Sequence, residues 1–134
     1  MTQFDVKLNA TERNLLNTLL AKADPAPGKR RVEMSWKELK KFGFAFFQSE
    51  EQLRKYTKKL MGQQVAYLDE RRKTKDVVVI ALPIICKCSI VDDKKGGYTI
   101  AFDINKDVLE RKIKSYDSIK AHNQLSERFL ALTA

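Results

Sequence analysis

One change of period constrains this chain more than any other feature. Through residue 61 most apolar side chains recur every three to four positions, and from Val65 they alternate every two. Helices are therefore expected first and antiparallel strands after them. One short alternating segment, residues 30–34, is set among the helices. The order implies a mixed α+β domain. At 134 residues, with 43% hydrophobic and 32% charged side chains, the chain is long enough to bury a core. It is too apolar for a disordered basic tail.

The first helix is expected over residues 9–23. Asn9 can accept the amide of Glu12 while the Glu12 carboxylate reaches back, a capping box. Leu15, Leu16, Leu19, Leu20 and Ala23 then share one apolar stripe. Pro25, Pro27 and Gly28 mark a surface loop. In the alternating segment Val32 and Met34 face inward. Ser35 and Glu38 box a second helix, with Trp36 and Leu39 on its buried side and Gly43 as its stop. A third helix starts at Ser49. Leu53, Tyr56 and Leu60 lie on one of its faces, and Arg54, Lys55, Lys58 and Lys59 stand almost opposite. Arg54 with Lys58, and Lys55 with Lys59, repel by about 0.2–0.5 kcal/mol each. A helix with only structural duties gains from an acid at one of those positions.

Residues 65–68 read as a strand and 71–75 as a basic turn. Residues 77–91 make a long β-prone run interrupted at Pro83, which implies a bulge or an edge position. Residues 92–97 connect to a strand in which Tyr98, Ile100, Phe102 and Ile104 alternate with polar or small residues. Asn105 caps a helical segment through Val108 and Leu109. Leu125, Phe129, Leu130 and Leu132 form a last apolar stripe.

The charge has an address. The formal net charge is +9, and residues 29–75 hold 14 basic against 6 acidic side chains, a surplus of 8. Clustering of this kind is the footprint of a nucleic-acid face. An anionic membrane fits less well, because the basic third helix needs its other face for the core. No run of about 18 apolar residues exists to cross a bilayer. Met1-Thr2-Gln3-Phe4-Asp5 offers no basic start and no apolar signal core, which argues for the cytoplasm.

Chemistry is sparse. His122 is the only histidine, and Cys86 and Cys88 are the only cysteines, expected on one face of a strand as reduced thiols. A zinc site needs more ligands than these. No phosphate-cradling glycine loop and no histidine-based triad is present. No catalytic residue, metal ligand or cofactor is therefore expected, and the chain does not read as an enzyme.

A helix pair followed by a basic helix and a hairpin is the order of a winged helix. In that fold the third helix can lie in the major groove and the hairpin can run along phosphates. The stretches Leu8-Asn9-Ala10-Thr11-Glu12-Arg13-Asn14-Leu15-Leu16, Val32-Glu33-Met34-Ser35-Trp36-Lys37-Glu38-Leu39 and Leu53-Arg54-Lys55-Tyr56-Thr57-Lys58-Lys59-Leu60-Met61 resemble the N-terminal winged-helix domain of plasmid replication initiators, the RepB/RepE-like family. Gly97-Tyr98-Thr99-Ile100-Ala101-Phe102-Asp103 and the tail Ser126-Glu127-Arg128-Phe129-Leu130-Ala131-Leu132 fit the same pattern.

The resemblance implies a bacterial cytoplasmic plasmid protein with two tandem winged helices. The second reads the origin repeats; the first dimerises the protein and adds DNA contacts. Residues 1–134 are then one winged-helix domain, the N-terminal half of such an initiator. The expected partners are double-stranded DNA and a second copy of the chain, with no membrane. The expected contacts are Arg54, Lys55, Lys58 and Lys59 on the third helix and Arg71, Arg72, Lys73 and Lys75 at the turn, each neutralising a phosphate. Arg54 and Lys58 are the best placed to reach a base. Two other readings stay open. One is a dimerisation module without DNA affinity of its own, motivated by the uncharged run at 77–91. The other is a winged-helix transcription regulator or an RNA-binding domain, for which exposed Phe44, Phe46 and Phe47 would speak. Those three are expected instead to close the base of the helix pair.

Overall fold

The computed structural model describes residue 4 and residues 7–42, 50–70, 76–92 and 97–133. The expected caps and stops at Gly43 and Ser49, the Phe44, Phe46 and Phe47 cluster, and the basic turn at 71–75 lie outside the described residues. So do the side chains of Trp36, Leu53 and Tyr56.

The helical half forms for the local reasons expected. Helix α1 spans Ala10–Lys22, and the box is complete: the Glu12 amide donates to Asn9 Oδ1 at 2.8 Å and the Asn9 amide donates to Glu12 Oε1 at 2.9 Å. Leu15, Leu16, Leu19 and Leu20 are buried along it, each contributing about 1.5–3 kcal/mol. Gly28 takes φ +79° in the loop that follows, a conformation that favours glycine. Strand β1 is Arg31–Ser35, with Val32 and Met34 inside and their neighbours outside. Helix α2, Trp36–Lys40, carries the Ser35 and Glu38 box and buries Leu39. Helix α3 is Glu50–Met61, and Leu60 is buried on it.

Five further elements follow: β2 (Gln64–Glu70), β3 (Val77–Pro83), β4 (Ile85–Asp92), β5 (Tyr98–Ile104) and the short helix α4 (Lys106–Glu110). A long last helix, α5, is Tyr116–Thr133. The strands make two antiparallel sheets. One has the order β1-β5-β4, and the other pairs β2 with β3. Strand β5 is central. Its inward residues Ile100, Phe102 and Ile104 meet the leucines of α1 in one core, closed by Val108, Ile113 and Ile119. Helices α1 to α3 with the β1-β5-β4 sheet are the winged-helix arrangement, into which β2 and β3 add a second hairpin directly after α3.

Two expectations are corrected. The run at 77–91 is two strands in two sheets. Pro83 has no amide to give, and at Ile84 the chain crosses over: the Ile84 amide donates to the Gln63 carbonyl at 3.2 Å and the Ile84 carbonyl accepts the Asn105 amide at 2.8 Å. The two cysteines do not share a face. Ile85 pairs with Ile104 and Lys87 with Asp103, so Cys86 is the extra residue of a β-bulge, and bulges re-aim side chains. The last apolar stripe is partly covered: Leu125 and Leu132 are exposed, Phe129 and Leu130 are half-buried, and the residues α5 buries are Tyr116, Ile119, Asn123 and Ser126.

Candidate nucleic-acid interface

Helix α3 presents its cations outward. Arg54, Lys55 and Lys58 are exposed, and no acid interrupts them between Glu51 and the end of the helix. The Thr57 hydroxyl turns inward and donates to the Arg54 carbonyl at 3.1 Å. Strand β4 runs beside α3. Between them lies a groove of about 610 Å³, lined by Arg54, Thr57 and Lys58 on the helix side and by Cys88 and Ile90 on the strand side. The helix side carries two cations and the strand side carries no charged group. Burial pushes the Cys88 thiol up to about 11, against a smaller opposing effect of the Thr57 hydrogen bond. The thiol is therefore uncharged at neutral pH and adds no negative charge to the groove.

Lys59 has a different position from its three neighbours. Its Nζ lies 2.9 Å from Glu12 Oε1, and Glu12 is fully buried in the first turn of α1. Lys59 thus joins α3 to α1 across 47 positions of sequence. No periodicity or spacing signals such a pair. Arg71, Arg72, Lys73 and Lys75 lie outside the described residues. Two of the expected groups, Arg54 and Lys58, are brought together on the groove, Lys55 stands on the same helix, and Lys59 is held at the helix base.

Part of the basic surplus is paired within the domain. Arg31 lies 3.3 Å from Glu33 and 3.9 Å from Asp103. Arg111 lies over the ring of Tyr67 and 3.8 Å from Asp69, tying the end of α4 to β2. Cys86 lines a separate groove with Arg30, Arg31 and Asp103, and burial raises its thiol as well. The His122 ring contacts the Ser118 carbonyl of its own helix at 2.7 Å. Among the described residues no group of three or more His, Cys, Asp or Glu is placed to hold a metal ion, and no helix is long and apolar enough to cross a membrane.

A family model described as "Initiator Replication protein, WH1" matches residues 1–126. No curated protein and no solved structure matches the chain.

Proposed function

The chain belongs to the WH1 family of initiator replication proteins, and on that premise we propose that it binds double-stranded DNA at a plasmid origin, mostly through phosphate contacts. The observation that carries this reading is the exposed cationic face of α3 beside its groove with β4. Arg54, Lys55 and Lys58 neutralise phosphates there, joined by Arg71, Arg72, Lys73 and Lys75 from the connection between β2 and β3. Lys59 supports them by holding the helix. Residues 1–134 act as the N-terminal domain of a longer cytoplasmic initiator whose second winged helix reads the origin repeats.

Counterion release gives the test. With about six phosphates neutralised, the logarithm of the association constant falls against the logarithm of salt concentration with a slope of roughly −5. A titration with duplex DNA from low to moderate salt reads that slope directly. A value near zero overturns the proposal.

A second function rests on β3. Its sequence Val77-Val78-Val79-Ile80-Ala81-Leu82-Pro83 has no charge, none of these side chains is fully buried, and among the described residues the strand pairs with β2 alone. An uncharged open edge of this kind takes a second strand. The proposed partner is β3 of a second copy, antiparallel about a two-fold axis. Sedimentation over rising concentration is expected to show a dimer that Val79→Pro returns to monomer. A monomer at every concentration removes this reading. A tight dimer that fails to shift duplex DNA leaves it standing and removes the first.

A further inference from the structure

Helix α5 packs on β2 through polar side chains. Asn123 and Ser126 are both fully buried, at positions where the helical spacing set by Tyr116 and Ile119 calls for apolar residues. They meet the edge of β2 that faces away from β3. The Ala66 amide donates to Asn123 Oδ1 at 2.6 Å, Asn123 Nδ2 donates to the Gln64 carbonyl at 3.0 Å, and Ser126 Oγ donates to the Ala66 carbonyl at 2.8 Å.

This bond set is the one a neighbouring strand makes. A carboxamide carries the same donor and acceptor as a peptide group, so Asn123 bridges two backbone groups of β2 as a strand residue does. Ser126, three positions on and on the same helix face, supplies the third bond. Buried backbone groups without such partners are rare, which accounts for two polar side chains inside this interface.

The two edges of the hairpin are therefore treated differently. Ala66 turns both its backbone groups away from β3, and its register partner is Ala81. By the alternation of an antiparallel ladder, Val79 and Ala81 turn theirs toward the outer edge of β3. Among the described residues that edge has no counterpart of Asn123 and Ser126.

We propose that α5 is an edge plug: Asn123 and Ser126 occupy the place of a strand on β2 and keep that edge from pairing with the β2 edge of a second copy. The segment that pairs when the plug is lost is Val65-Ala66-Tyr67-Leu68, which is uncharged and holds the strand-favouring residues Val65 and Tyr67. The plug is independent of DNA binding. It is also distinct from dimerisation through β3, which uses the opposite edge.

Full-length protein carrying Val79→Pro serves as the parent, since that substitution blocks the β3 edge without removing a bond to β2. In this parent the Ala66 amide is expected to exchange with solvent at least about a hundredfold more slowly than the Ala81 amide. Adding Asn123→Ala and Ser126→Ala should erase that difference and produce self-association that grows with concentration. Ser126→Thr, which keeps the hydroxyl, should stay monomeric. Equal exchange at Ala66 and Ala81 in the parent overturns the proposal, and that arm does not depend on the double variant folding. So does a double variant that keeps the parent's helix content and remains a monomer.

Discussion

Lys59→Met is expected to destabilise the domain by about 3 kcal/mol, a loss that urea denaturation reads as a lower midpoint at unchanged slope. Glu12 is fully buried and takes two partners on Oε1, the Asn9 amide and the Lys59 ammonium, while Oε2 has no hydrogen-bond partner among the described residues. Removing the cation leaves a buried carboxylate with a single amide to satisfy it. Breaking such a pair typically costs about 3–5 kcal/mol. The lower end applies because the Lys59 side chain is 40% exposed and water reaches its head group. Glu12→Gln together with Lys59→Met should recover most of the loss, since no charge is then stranded and the amide oxygen can still serve the cap. Lys58→Met gives the contrast. Lys58 is exposed, so its loss should change stability by no more than about 0.5 kcal/mol. It should instead make the salt slope of DNA binding shallower by about 1, whereas Lys59→Met should leave the slope where it was. A Lys59 variant of full stability with a shallower slope reverses the two roles.

That contrast also marks what a sequence of this kind discloses. The capping boxes at Asn9 with Glu12 and Ser35 with Glu38 are written in adjacent residues, and both are present as read. The alternation of Ile100, Phe102 and Ile104 is equally local, and those three side chains are buried. The cationic face of α3 needs only the helical period, and Arg54, Lys55 and Lys58 are exposed on it. What escapes is anything decided by distant partners. Four cations on α3 look equivalent in sequence, and only the packing of α1 singles out Lys59. The run at 77–91 looks like one strand because each half has the same β propensity. The crossover is set by where the Ile84 backbone finds Gln63 and Asn105. The last helix discloses least, since its stripe of Leu125, Phe129, Leu130 and Leu132 is not the face it buries most fully. Its true packing face carries Asn123 and Ser126, because β2 has backbone groups there to satisfy.

Phe102→Ala should cost about 3–5 kcal/mol, the usual range for emptying a buried phenylalanine site. Phe102 is fully buried on the central strand, with Val32 of β1 and Cys88 of β4 as its register partners. Both sides of β5 are already paired, so the backbone has little freedom to collapse into the space left by the ring, and a rigid site keeps its cavity. For a chain of this size the loss corresponds to a melting temperature lower by roughly 10–20 °C. Ile100→Val, on the same strand and also buried, removes one methylene and should cost only about 0.5–1.5 kcal/mol. Cys88 links this core position to the groove, because it faces Phe102 across the ladder and lines the wall opposite Arg54. Weaker DNA binding is therefore expected on warming, as the folded fraction falls, while the salt slope measured well below the melting temperature stays that of the parent. If calorimetry shows Phe102→Ala and Ile100→Val melting together, the domain is not organised around β5, and the groove that β4 forms with α3 loses its structural support.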